Sequence, residues 1–181
     1  MTVRRVMGSP WRWLLIPLLA VPVGWLLFTG LGRDPRVIPS PLIGQPLPAL
    51  AGPTLNGGSF DSATLAGRPA VVNLWASWCA PCVQEHPLLL DLQREHGDEL
   101  AVVGILYNDA SDQATQFQER YGDGGWPDLT DADGHLALDL GVTGPPETFF
   151  VDADGIVRYR HVGPLTADVL AEQLRSIGVQ P

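Results

Sequence analysis

Cys79 and Cys82 are the only cysteines in the chain, with two residues between them in WASWCAPCVQEHP, residues 75–87. Four chemistries use such a pair. A zinc site normally takes four ligands, and no second cysteine pair exists; His86 and His96 are near in sequence, but two thiolates and a helical histidine make no recognisable set. Covalent haem attachment needs histidine directly after the second cysteine, where this chain has Val83. A structural disulfide closing so small a loop constrains the unfolded chain very little. The remaining reading is a redox couple at a strand-to-helix junction.

The position suits that reading. The first turn of a helix has N–H groups without intrahelical partners and the positive end of the helix dipole, both of which favour a thiolate. Cys79 is therefore the expected nucleophile. Cys82, one turn further in and more buried, is the expected resolving thiol. Pro81 falls in the first turn, where its missing N–H costs little, and Pro87 is expected to bend the helix.

The elements that must carry the pair can be read on either side of it. AVVNLWA (70–76) is an apolar run suited to a buried strand, and LAVVGILY (100–107) is a second one. Helices are expected over 80–95, stopped near Gly97, and over 111–122, with Ser111 as N-cap. GPTLNGGSF (52–60) predicts a hairpin turning at Asn56-Gly57. HLALDLG reads as one or two helical turns, and 147–163 as two strands joined at Ala153-Asp154-Gly155. A last helix starts at a Thr166 cap, shares Leu170, Leu174 and Ile177 on one face, and ends at Gly178. This order gives an α/β fold on a mixed sheet.

Upstream of these elements the chain changes character. Trp13 to Gly32 holds no charged residue and is long enough to span a bilayer, with Arg4, Arg5 and Arg12 before it or at its start. The expected organisation is a short cytoplasmic N-terminus (1–12), a single transmembrane anchor (13–32), a proline-rich spacer (33–48) and one folded domain (49–181) outside the cytoplasm. A cleaved signal peptide is the rival reading, but the apolar run is long for one and no small-x-small site follows it. The net charge of −9, with 45% hydrophobic and 17% charged residues, fits a globular domain and argues against nucleic acid as a partner.

WCAPC after an apolar strand, Trp78 before the first cysteine and Pro87 five residues past the second resemble the thioredoxin superfamily. That resemblance implies a thioredoxin-like fold and a cis-proline beside the dithiol, for which GVTGPPETFFVDADG (141–155) supplies Pro146. Trp78 and Pro146 are then expected to face an extended substrate. The series PSPLIGQPLP, GRPAVVNLWASWCAPCVQEHP, GVTGPPETFFVDADG and GIVRYRHVGPL behind one anchor is similar to the membrane-tethered proteins of cytochrome c maturation, the DsbE/CcmG type. The resemblance implies a periplasmic reductant on the bacterial inner membrane. Its partners would be apocytochrome c or a maturation thiol protein, and a transmembrane thiol carrier of the DsbD/CcdA kind would reduce it in turn. No metal or organic cofactor is expected. A general periplasmic disulfide reductase or oxidase is the competing reading, and a copper or haem chaperone the reading from another class.

One departure bears on mechanism. Thioredoxin has a buried Asp where this chain has Asn73, which cannot take up a proton as a carboxylate does. Glu85, three residues past Cys82 and on its helical face, is a candidate substitute; the plainer alternative is a solvated helix face. Glu147, after Pro146, is expected either to shape partner docking or to be an exposed loop acid. The two Asp-Ala-Asp-Gly segments (131–134, 152–155) lack the first-position acid and position-twelve Glu of a calcium loop and read as turns. His135 and His161 have no metal-site partners. Trp75, Phe149 and Phe150 are assigned to the core, Trp78 to the surface.

Overall fold

The computed structural model describes residues 20–22, 24–25 and 40–180. Residues 20–22 and 24–25 are helical, and the rest of the expected anchor, 13–32, lies outside the described residues, as does the N-terminus 1–12. Among the described residues, no helix is long and apolar enough to cross a membrane.

The folded unit centres on a five-stranded sheet ordered β5-β4-β3-β6-β7. Its strands are β3 (Ala70–Trp75), β4 (Ala101–Tyr107), β5 (Asp128–Asp131), β6 (Glu147–Val151) and β7 (Val157–Val162). The pairs β3–β4 and β4–β5 are parallel, whereas β3–β6 and β6–β7 are antiparallel. Every residue of β3 is buried, as expected of a central strand covered on both faces. The hairpin β1 (Ala51–Pro53) and β2 (Ser59–Asp61) turns through Gly57 at φ 81, a conformation that glycine adopts without a Cβ penalty.

Alternation along the strands sorts the core onto two faces. Val71, Val102 and Phe150 pack with Leu89 and Leu92 of α1 (Ala80–His96) and Leu170 and Leu174 of α4 (Ala167–Ser176). Val72, Leu74, Val103, Ile105, Phe149 and Val151 face the other way, onto α3 (His135–Asp139) and Leu50. A third cluster at the end of β3 joins Trp75, Ala76, Cys79, Cys82 and Leu106 to Ala114 and Phe117 of α2 (Ser111–Tyr121).

Three elements differ from the sequence reading. β5 was not anticipated: it has four residues, and its acids Asp128 and Asp131 resemble turn residues. Helix α2 has Ala110, not Ser111, at its N-cap, with no side-chain cap bond; Ser111 is the first helical residue. Helix α1, by contrast, runs through Pro87 to His96 with Gly97 as its C-cap, as read. The spacer expected over 33–48 is folded onto the domain from residue 40: Gly44 N–H donates to Val157 O, Val157 N–H to Gln45 O and Leu47 N–H to Gly155 O. Leu42 and Leu47 pack on the α3-side core. The prolines that suggested an extended spacer instead suit an irregular segment that bridges at Pro46–Ile156 beside the start of β7.

At the opposite edge of the sheet, Leu55 N–H donates to Asp128 O, and Thr54 bridges Leu129 on the outer side of β5.

Candidate active site

Strand β3 delivers the chain to Ala76, and a tight turn through Ser77 and Trp78 places Cys79 at the N-cap of α1. Cys79 and Cys82 form a disulfide. The Sγ of Cys79 accepts the N–H of Cys82 at 3.2 Å. This sulfur occupies the place of the thiolate in the reduced form, so one of the orphan N–H groups of the helix already points at the reactive atom. Cys82 is expected to be the more buried, and the difference is small: Cys79 is 3% and Cys82 2% exposed. Both sulfur-bearing residues pack in the cluster built on Trp75 and Phe117.

Trp78 is 55% exposed and its Nε1–H donates to Asn108 O at 3.3 Å. Asn108 has φ 43 at the end of β4, where the side-chain oxygens of the next residue, Asp109, accept the N–H groups of Ser77 and Ala110. The loop after β4 therefore braces the turn that carries the dithiol.

The Pro145–Pro146 bond is cis, and Pro146 is buried immediately before β6. Antiparallel pairing sets Glu147 opposite Leu74 and Thr148 opposite Asn73. Pro146 thus lies next to the C-terminal end of β3, from which the dithiol turn departs. Pro146 O accepts the N–H of Gly163, fixing the loop to the end of β7.

The two acids lie on opposite faces of the sheet. Glu85 is 1% exposed on the α1 side, so a solvated helix face is excluded. Its Oε1 accepts Asn73 Nδ2–H at 2.8 Å and its Oε2 accepts Leu165 N–H at 2.7 Å. Asn73 Nδ2 also donates to Thr148 Oγ1 at 3.0 Å. Burial pushes the Glu85 carboxyl up to about 7, against the opposing pull of the Leu165 and Asn73 hydrogen bonds. Asn73 is therefore the donor that fixes a carboxyl supplied by the helix.

Glu147 is 0% exposed and lies on the α3 side. It is not an exposed loop acid, and its carboxylate does not reach the surface. Its Oε2 is paired with Arg160, at 2.6 Å from Nε, and its Oε1 accepts the N–H and Oγ1–H of Thr143, each at 2.8 Å. Arg160 also lies over the Phe149 ring, 5.8 Å from its centroid. The sequence reading missed Arg160, whose position next to His161 in a strand gave no sign of the pairing.

A third buried acid was also missed. Asp128, 2% exposed at the start of β5, accepts Trp75 Nε1–H at 2.7 Å, Gln118 Nε2–H at 2.8 Å and Trp126 Nε1–H at 3.3 Å. The glycine-rich stretch before Trp126 and the acids after it read as a loop, so nothing in the sequence tied Asp128 to Trp75.

The Asp-Ala-Asp-Gly segments are turns, as read. Asp131 accepts the N–H groups of Leu136 and Ala137 at the start of α3, and Asp152 those of Asp154 and Ile156. Among the described residues, no group of three His, Cys, Asp or Glu side chains is arranged to hold a metal ion.

With a dithiol at a helix N-cap, a cis-proline beside it and a buried carboxyl behind it, likeness to known proteins becomes informative. The sequence matches the Redoxin family over residues 42–174. The chain belongs to that family. It is 43% identical to a thiol:disulfide interchange protein DsbE of Allochromatium vinosum, over 90% of this chain and 91% of the relative. It is 39% identical to the protein of that name in Escherichia coli K12, over 91% and 92%. Among solved structures, a thioredoxin-family thiol:disulfide interchange protein of Chlorobium tepidum superposes with a TM-score of 0.66 at 28% identity, covering 73% of this chain and 94% of that one. A DsbF homologue of Corynebacterium diphtheriae gives 0.69 at 25% identity, covering 80% and 96%. The protein is a thiol:disulfide oxidoreductase of the DsbE type with a thioredoxin-like fold.

Proposed function

We propose that the protein is a periplasmic, membrane-anchored reductant in cytochrome c biogenesis. It would act on the haem-attachment cysteines of apocytochrome c, or on a thiol protein of that pathway, and be recharged by a transmembrane carrier of the DsbD/CcdA kind. The membrane placement rests on the uncharged stretch 13–32 and the arginines before it. The direction of electron flow rests on one observation: Glu85 is buried behind the dithiol and hydrogen-bonded only to neutral donors. An uncompensated carboxylate there disfavours a thiolate, and a couple whose thiolate is not strongly stabilised is the more reducing.

In the forward reaction the Cys79 thiolate attacks a partner disulfide, forming a mixed disulfide and releasing one partner thiolate. Cys82 loses its proton and attacks Cys79 Sγ, releasing the second partner thiolate. Two electrons pass to the partner, which leaves as two thiolates that solvent reprotonates; the one proton released comes from Cys82, and Cys79–Cys82 becomes the disulfide. Glu85 is the group we assign to take up the Cys82 proton, directly or through water, its value near 7 being suited to that exchange. Trp78 and the loop ending at Pro146 flank the disulfide and receive the partner chain. Glu147 contributes from within, holding that loop through Thr143 and Arg160.

The experiment is to trap thiols with acid and alkylate them in cells making the full chain. A predominantly reduced pair, and a Cys82→Ser variant that accumulates a mixed disulfide with an apocytochrome or pathway thiol protein, support the proposal. A pair held oxidised makes the protein a disulfide donor and overturns it. An exchange pH profile left unchanged by Glu85→Gln removes Glu85 from proton transfer.

A further inference from the structure

Asp128 has no part in the exchange described above, yet it is built into the wall behind the dithiol. Its carboxylate receives three side-chain N–H bonds, all from neutral groups: two indoles and one amide. Space for it depends on Gly104 of β4, because a Cβ there would come within 1.7 Å of Asp128 Oδ1. Its shortest side-chain bond goes to Trp75, and Trp75 packs in one cluster with Cys79 and Cys82. A small cavity of about 10 Å³ is lined by Asp128, Trp75, His86 and Asn73, and Asn73 is the donor to Glu85.

The titratable groups around Asp128 are few. Helix α1 contributes His86, whose ring is bonded to Gly122 O and held neutral by burial. The loop after α2 contributes Asp123, another negative charge, while α2 contributes the neutral Gln118. Strands β3 and β4 present Trp75, Asn73 and Gly104, none of which ionises. No cation among these offsets the carboxylate, and burial raises its value to about 6, leaving it charged at neutral pH.

We propose that Asp128 is a positioning residue for the redox couple: it anchors the Trp75 indole beneath the disulfide, and its charge opposes formation of the Cys79 thiolate. The couple is thereby held on the reducing side, and its pH dependence includes Asp128 as well as Glu85. The inference rests on the exchange by Cys79 and Cys82 proposed above, and not on which partner receives the electrons.

The test uses the full chain in detergent, with Asp128→Asn, which keeps an acceptor for Trp75 and removes the charge. The rate of Cys79 alkylation against pH is expected to move to lower pH by about half a unit or more, roughly a 3-fold rise in thiolate at a fixed pH below the midpoint. The reduction potential against glutathione should become less negative. An unchanged alkylation profile in a folded Asp128→Asn protein overturns the proposal. Should that variant not fold, Asp128→Ser, which removes the charge with a smaller hydroxyl side chain, supplies the second measurement. The same move of the Cys79 alkylation profile to lower pH is expected. An unchanged profile in that protein overturns the proposal even if cytochrome maturation depends on the protein.

Discussion

At the scale of single residues, the reactive atoms were legible because their chemistry is encoded by spacing: two cysteines one helical turn apart, and a proline before an apolar strand. The burial of the acids was not. Glu85 reads equally as a solvent-facing helix residue until β3 supplies Asn73 and the chain eighty residues on supplies the Leu165 N–H. Its raised value has a consequence for stability. Between its ordinary 4.5 and about 7, folded Glu85 keeps a proton that the unfolded chain has released. Its contribution is therefore greatest below 4.5 and is lost as pH rises through about 7, by roughly 2–4 kcal/mol. Glu85→Gln should remove that part of the pH dependence, so its stability relative to wild type improves between pH 5 and pH 8 in urea titrations. Equal slopes for the two proteins would contradict the assignment. Arg160→Met should instead destabilise the fold by roughly 3–5 kcal/mol, because it leaves the buried Glu147 carboxylate without its cation. Adding Glu147→Gln to it should recover part of the loss, measured by the same denaturation.

At the scale of elements, β3, β4, β6, β7 and the long helices follow from apolar runs and periodicity that short-range physics dictates. Strand β5 does not, because what holds it is non-local. It is a four-residue strand whose first acid is satisfied by side chains from β3, α2 and its own approach loop. The local pattern, DLTDADG, contains strong turn formers at both ends, and turn chemistry outweighs two apolar positions when the sequence is read alone. Strand β4 carries the matching signal in Gly104, an ordinary weakness in a strand that here makes room for the carboxylate. Gly104→Ala should displace Asp128 and lower stability by roughly 2–4 kcal/mol, with β5 the first strand to lose amide protection in hydrogen exchange. Retention of full protection across β5 would show that the carboxylate relocates without cost.

At the scale of the whole molecule, the boundary of the folded unit was misplaced because proline and the absence of periodicity describe a spacer and an irregular edge segment equally well. Only long-range hydrogen bonds to β7 distinguish them, and those come from residues more than a hundred positions away. Removal of residues 40–48 from the protein should therefore lower stability by roughly 2–4 kcal/mol, from the lost burial of Leu42 and Leu47, and not leave it unchanged as trimming a tether would. Both sides of the sheet are in fact covered by chain from the N-terminal part of this unit: residues 44–47 lie against the start of β7, and 54–55 lie against β5. That covering sets how the protein can handle clients. If the partners are unfolded apocytochromes, as proposed above, the protein meets extended chains able to pair with any open strand. Here the backbone groups at those places are already occupied, so such a client would find less open strand there to template co-aggregation.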